Sequence, residues 1–214
     1  PASATEIELR AQDKDFAQIL ILTRTSEPIG KRKYWPIGEA ACRNDQPVAL
    51  HVFGYSGQPV SGTGWPSYYL EEMTGHTAAC QAAVASLAME GVFEHFPTLK
   101  VVIIEGGFGW LPALGWRLDK HWQRLRSEVP HVKRPPSEYL KEHLWITTQP
   151  FEEPKDEAQV LDVMRWIGWD RLLFATDYPH WDFDDPARVL PRGLERDKKR
   201  MIEAENARKL FNLA

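Results

Sequence analysis

Five short apolar runs, each giving way to polar residues and a Gly or Pro, constrain the fold of this 214-residue chain more than any other feature. Runs of this length with β-branched residues are typical of buried parallel strands. The segments between the runs carry helical signals, so we predict an α/β protein with a parallel sheet. The five predicted strands cover residues 16–23, 47–53, 100–107, 143–150 and 171–180.

The intervening segments favour helices with recognisable ends. Pro112 suits the first turn of one helix, and Gly168 lies just past the end of another. The predicted helices cover residues 35–43, 77–96, 111–127, 154–167 and 197–213. Residues 54–75 form a Gly- and aromatic-rich insertion, either a cover over an active site or a passive Ω-loop.

Composition excludes several classes of protein. A formal net charge of −4 without a basic stripe argues against a nucleic-acid partner. The apolar runs fall far short of a membrane span, so we expect no membrane partner. Two lone cysteines, Cys42 and Cys80, read as buried free thiols and fit a reducing cytoplasm. We therefore expect one cytoplasmic domain over residues 1–214.

Four of the predicted strands carry ionisable or polar side chains within them or at their carboxyl ends. His51 lies in the second strand, Glu105 closes the third, Gln149 closes the fourth, and Asp177 and His180 close the fifth. Parallel strands gather such groups at one carboxyl edge, which is where α/β proteins place their chemistry. Buried carboxylates need a partner, and a divalent metal ion with imidazole and carboxylate ligands supplies one.

Each of these residues also has a purely structural interpretation. A single strand histidine such as His51 is often hydrogen-bonded in the core, and Glu105 or Asp177 can simply cap the following helix. His76 and Trp110 are candidate substrate contacts, with helix capping and core packing as their respective alternatives. Three further histidines read as surface or packing residues: His121, His131 and His143.

Several longer segments resemble one known family. They are YWPIGEAACRNDQPVALHVFG (34–54), GVFEHFPTLKVVIIEGGFGWLPALGWRLD (91–119), RPPSEYLKEHLWITTQPFEEP (134–154), LLFATDYPHWDFDDP (172–186) and ENARKLF (205–211). The chain is similar to the amidohydrolase-related family, which includes aminocarboxymuconate-semialdehyde decarboxylase and the resorcylate decarboxylases. The resemblance implies a (β/α)₈ TIM barrel with one metal ion at its carboxyl end.

The resemblance also implies roles for individual residues. His51 matches the family's fifth-strand histidine ligand, and Asp177 matches the eighth-strand aspartate that binds metal and handles a proton. Glu105 stands where many relatives have a sixth-strand histidine. We expect His180 to contact substrate or support Asp177, and His76, Trp110 and Gln149 to contact substrate. The expected cofactor is one divalent metal ion, zinc first, with manganese or iron as alternatives.

Family members are longer and begin with a first strand that carries a His/Glu-x-His ligand pair, which nothing here matches. The chain is therefore expected to hold strands four to eight of the barrel. Such an arc exposes two sheet edges and an apolar interior. We expect it to pair with a missing N-terminal half or with another copy of itself in a homo-oligomer.

The resemblance implies a small-molecule enzyme. The main hypothesis is hydrolysis by a metal-activated water, with Asp177 taking the proton and Glu105 as an auxiliary acid or base. The Trp and Tyr residues near the 54–75 insertion favour an aromatic or cyclic substrate. The first alternative is metal-dependent decarboxylation of an aromatic or unsaturated carboxylic acid. The second is a non-catalytic fragment or one subunit of a split barrel.

Overall fold

A computed structural model describes residues 1–54 and 59–213, which fold around a five-stranded parallel sheet. The strands are β1 (Ile19–Arg24), β2 (Val48–Gly54), β3 (Val101–Ile104), β4 (Leu144–Thr147) and β5 (Leu172–Leu173). They lie side by side in chain order, and all four pairings are parallel. The α/β class and all five predicted strands are confirmed. Strands β3, β4 and β5 end earlier than predicted, because the polar residues that end the apolar runs belong to loops. Strand β1 is shorter because it begins at Ile19 rather than at residue 16.

Helices connect the strands and cover one face of the sheet. They are α1 (Ala2–Arg10), α2 (Trp35–Arg43), α3 (Tyr69–Met89), α4 (Val92–His95), α5 (Leu111–Leu125), α6 (Pro136–His143) and α7 (Glu157–Ile167). The C-terminal region holds α8 (Arg196–Arg200), a π-helical turn (Met201–Glu205) and α9 (Asn206–Leu210). Helix α2 has the predicted bounds, whereas α6 was not predicted.

Helix α3 differs most from its prediction, because it begins at Tyr69 rather than at residue 77. The Glu71 carboxylate accepts the backbone N–H groups of Ser67 and Tyr68 at 2.9 and 2.8 Å, which caps the earlier start. The predicted irregular insertion over 54–75 is therefore helical from Tyr69 onward. Its residues 55–58 lie outside the described part of the chain.

The two faces of the sheet are buried by different partners. Val48, Leu50 and Ile103 point into a large core shared with the helices. On the opposite face, Ala49 and Leu173 belong to a smaller cluster completed by α9 and the residue after it, through Ala207, Leu210 and Phe211. Near the β1 end of the sheet, Leu20 and Leu22 are exposed. The loops that follow the carboxyl ends of β3, β4 and β5 carry most of the predicted site residues.

Two smaller predictions concern thiols and membranes. Both cysteines are free, as predicted. Cys80 is fully buried as expected, whereas Cys42 is only half-buried. Within residues 1–54 and 59–213, no helix is long and apolar enough to cross a membrane.

Candidate active site and metal centre

His51 and Glu105 form a hydrogen-bonded pair at the carboxyl edge of the sheet. His51 lies in β2, Glu105 directly follows β3, and the His51 Nε2 and Glu105 Oε1 atoms are 2.9 Å apart. Both side chains are largely buried, at 18% and 24% exposed. The hydrogen bond from His51 lowers the pKa of Glu105 below its usual value. Glu105 is therefore held as a carboxylate beside an imidazole.

The backbone around Glu105 explains how it reaches His51. Glu105 adopts a left-handed conformation (φ 56°), and its N–H donates to Thr147 Oγ1 of β4 at 3.2 Å. The next residue is Gly106, where a Cβ would lie 2.7 Å from Cys80 Sγ. A side chain at that position would collide with α3, so the sharp turn after β3 requires glycine there.

Asp177 and His180 form a second pair in the loop after β5. The Asp177 Oδ2 and His180 Nδ1 atoms are 2.7 Å apart, and the His180 backbone N–H donates to the Asp177 carbonyl at 2.9 Å. Asp177 is largely buried, whereas His180 is exposed. The hydrogen bond and negative charge of Asp177 raise the pKa of His180 above its usual value.

The two pairs influence each other electrostatically. The positive charge of His180 helps to lower the pKa of Glu105, and the negative charge of Glu105 helps to raise that of His180. His76 of α3 is buried, and burial is the main cause of its lowered pKa. The charges of Arg24 and His51 lower this pKa further, whereas those of Glu72 and Glu105 oppose the shift. The structure thus brings five of the predicted site residues to one edge of the sheet.

The two other predicted substrate contacts, Gln149 and Trp110, are described by their burial and their hydrogen bonds within the protein. Gln149 follows β4, is 2% exposed, and its buried Oε1 has no hydrogen-bond partner among the described residues. The Trp110 indole N–H donates to the carbonyls of Gly106 and Gly107 at 2.8 and 3.1 Å. Trp110 therefore holds the loop that carries Glu105. Substrate contact by either residue stays a prediction.

Three side chains of the loop after β5 lie close enough together to hold a metal ion. Asp177, His180 and Asp182 each offer a ligand atom, and these atoms lie within 4.8 Å of one another. Two carboxylates and an imidazole suit a divalent transition metal ion, so the donor set fits the expected cofactor. The predicted ligand His51 instead directs its Nε2 at Glu105. Asp182 was missed at the sequence level, although it belongs to the acid-rich WDFDDP stretch.

Two further carboxylates were missed. Glu152 Oε1 accepts the backbone N–H groups of Phe108 and Gly109 at 2.9 and 3.0 Å, and burial raises the pKa of Glu152. Asp184 Oδ2 accepts the Phe151 N–H at 3.0 Å, and burial is the main cause that raises the pKa of Asp184 to about 6. These contacts join residues 33 to 44 positions apart, so no local sequence pattern announces them.

The amidohydrolase family model matches residues 1–213. The chain belongs to the amidohydrolase family. This confirms the resemblance inferred from the sequence motifs.

Individual relatives of this amidohydrolase-family chain are decarboxylases. The gamma-resorcylate decarboxylase of Polaromonas sp. JS666 is 30% identical over 99% of this chain, which spans 66% of that enzyme. The crystal structure of 2,6-dihydroxybenzoate decarboxylase from Rhizobium matches with a TM-score of 0.76 at 23% identity, over 98% of this chain and 67% of that one.

A dihydroxybenzoic acid decarboxylase from Polaromonas sp. JS666 was crystallised with manganese and the inhibitor 2-nitroresorcinol. It matches with a TM-score of 0.71 at 24% identity, over 98% of this chain and 65% of that one. The structural neighbours are TIM-barrel amidohydrolases, and their likeness supports the α/β fold. The relatives are enzymes, and their names favour the decarboxylase alternative over the hydrolase hypothesis.

Proposed function

We propose that this protein is a divalent-metal-dependent decarboxylase of a small hydroxylated aromatic acid. The observation that carries the proposal is the His51–Glu105 pair, which holds a hydrogen between an imidazole and a carboxylate at 2.9 Å. Loss of CO₂ from an aromatic ring leaves a carbon that must receive a proton, and such a pair supplies one. The decarboxylase relative with 30% identity supports the same reaction.

The chemistry balances with one proton for each CO₂ released. The bond between the ring carbon and the carboxylate breaks, its electron pair stays with the ring, and a proton bonds to that carbon. We assign the proton to the His51–Glu105 pair in its imidazolium–carboxylate form, in which ionised Glu105 accepts the hydrogen bond from His51. Transfer of the imidazolium proton to the ring carbon leaves neutral His51 beside the Glu105 carboxylate. Water in the open site returns the proton for the next turnover.

Asp177, His180 and Asp182 are the residues that would hold the metal ion. When bound, a divalent cation would supply positive charge that favours binding of an anionic substrate at these residues. Manganese in a structural neighbour supports a divalent ion. Zinc as the preferred ion, and His51 as an additional ligand, stay predictions.

Exposed aromatic side chains near this donor set support an aromatic substrate. Tyr178 and Trp181 flank His180, and both are more than two-thirds exposed. The Trp181 ring lies 6.1 Å from the ring of Tyr69 at the start of α3. Aromatic side chains in such positions stack on planar ligands.

We also propose that the five strands correspond to strands four to eight of a (β/α)₈ barrel. The order β1 to β5 and the coverage of 66% of a relative support this assignment. The exposed Leu20 and Leu22 beside the β1 edge support pairing with a further barrel segment or a second copy of the chain. Cytoplasmic location is proposed on the free thiols.

The test is a decarboxylation assay with 2,6-dihydroxybenzoate in Mn²⁺ or in EDTA, following resorcinol by chromatography. We expect Mn²⁺-dependent release of resorcinol and CO₂, slowed by at least about 10²-fold in Glu105→Gln. His121→Ala, a change on the exposed surface of α5, should retain it. No resorcinol above the EDTA background would contradict the proposal. Metal-dependent cleavage of aryl esters or lactones instead would favour the hydrolase hypothesis.

A further inference from the structure

The loop between β3 and α5 carries Glu105 and is held by a carboxylate from another loop. Gly107 is left-handed (φ 61°), and the next two backbone N–H groups, of Phe108 and Gly109, both donate to Glu152 Oε1. Successive N–H groups after a left-handed residue form a concave anion-binding nest. Glu152 occupies that nest from the loop after β4.

The glycines of this loop are matched to Glu152. A Cβ at Gly107 would lie 2.6 Å from Glu152 Oε1, and a Cβ at Gly109 would lie 3.3 Å from Glu152 Cδ. Any side chain at Gly107 would therefore displace the carboxylate from the two N–H groups. The glycines of the EGGFG segment thus leave the space that the Glu152 carboxylate occupies.

The residue before Glu152 connects the same segment to the other half of the site. The Phe151 ring packs edge-on against the buried Phe108 ring, with centroids 5.2 Å apart. The Phe151 N–H donates to Asp184, whose own N–H donates to the Thr176 carbonyl at 2.9 Å. Residues 151 and 152 thus bridge the loop of Glu105 and the loop of Asp177.

We infer that Glu152 is a positioning residue: it fixes the glycine loop that connects Glu105 to α5, and it thereby sets the orientation of Glu105 toward His51. Its ordered carboxylate oxygen contacts backbone N–H groups rather than the reacting atoms. The kinetic part of this inference rests on the proposed decarboxylase function. The structural part stands on the hydrogen bonds and glycine contacts alone.

The kinetic test compares Glu152→Ala, Glu152→Gln and the matched control Glu153→Gln, an exposed neighbour. We expect Glu152→Ala to lower kcat for decarboxylation about 10- to 100-fold with little change in KM, because small misplacements of reacting groups cost this much. Glu152→Gln retains most of the rate, since an amide oxygen accepts the same two N–H groups. Equal effects of Ala and Gln, or a change confined to KM, would overturn the inference.

A double-mutant cycle tests whether Glu152 acts through Glu105. If it does, adding Glu152→Ala to Glu105→Gln slows the enzyme no further, because the group being positioned is already gone. Additive losses would mean that Glu152 acts elsewhere and would overturn the inference.

A second readout needs no activity, so failure of the proposed function leaves it intact. In ¹⁵N NMR, we expect Glu152→Ala to move the His51 imidazole signal toward its position in Glu105→Gln, and to speed amide exchange at Phe108 and Gly109. If Glu152→Ala fails to fold, Gly109→Ala crowds the same carboxyl group, because its Cβ would lie 3.3 Å from Glu152 Cδ. It is expected to move the His51 signal in the same direction by a smaller amount. An unchanged His51 signal in the folded variant would overturn the inference.

Discussion

The two edges of one sheet use histidine in opposite ways. At the amino edge, His143 precedes β4, is 2% exposed, and its Nδ1–H donates to the Leu99 carbonyl at 2.7 Å. Its ring stacks on Phe93 at 4.6 Å, and burial lowers its pKa. At the carboxyl edge, His180 lies against Asp177, which raises its pKa. The same residue type is kept neutral at one edge and favoured as a cation at the other.

The difference comes from the partners, since the two edges belong to the same strands. The Leu99 carbonyl and the nearby Glu142 charge favour protonated His143, but desolvation by burial is the larger effect and lowers its pKa. The loops after the strands bring carboxylates to His51 and His180. We therefore expect changes at the carboxyl edge to alter chemistry, and changes at the amino edge to alter stability.

The largest expected effect is on catalysis by Glu105→Gln. An amide in place of this carboxylate no longer exchanges a proton with His51, and removal of a general acid or base costs about 10²- to 10⁴-fold in rate. The measurement is kcat for 2,6-dihydroxybenzoate in Mn²⁺, with the thermal midpoint as control. A kcat of Glu105→Gln within about threefold of the native value would contradict a catalytic role for the carboxyl edge.

A smaller effect is expected from Leu144→Ala at the amino edge. Leu144 is 1% exposed in the main core, and such truncations lower the free energy of unfolding by about 2–5 kcal/mol. Urea denaturation measures this loss, and kcat should stay near its native value. A large fall in kcat with native stability would show that the amino edge takes part in the chemistry.

A subtler effect appears in the titration of the two histidines in metal-free protein. By NMR, the pKa of His180 should lie above 6.5 and that of His143 below it. Asp177→Asn should lower the pKa of His180, because the negative partner is removed, and leave that of His143 unchanged. Both histidines titrating at the same pH would contradict the contrast.

The lowered pKa of His143 also predicts the direction of a stability change with pH. Below about pH 6.5 the unfolded chain takes up a proton that the folded chain resists, so stability falls as the pH drops through this range. His143→Asn can keep a donor toward the Leu99 carbonyl but cannot titrate. Its thermal midpoint should be lower overall and less dependent on pH between 5 and 7, as a rough window. An unchanged slope would show that His143 is not the group responsible.

The sequence predicted the sheet better than the site. In β3 and β5, burial on both faces leaves an unbroken apolar pattern, and β1 carries such a run although Leu20 and Leu22 are exposed. Helix α2 ends where its periodicity does. The sequence did not predict the start of α3, which depends on a capping contact at Glu71. It did not predict α6 either, a short helix that begins with Pro136. Strand order brought His51 and Glu105 together as expected, while the contacts of Glu152 depend on tertiary structure alone.

Binding of Mn²⁺ tests most directly whether the carboxyl edge is the functional one. Titration of the metal-free protein followed by electron paramagnetic resonance should show one bound ion per chain. We predict that Asp177→Asn weakens its binding at least about tenfold, whereas His143→Asn leaves it unchanged. Absence of binding, or equal affinity in Asp177→Asn and the native protein, would contradict this account.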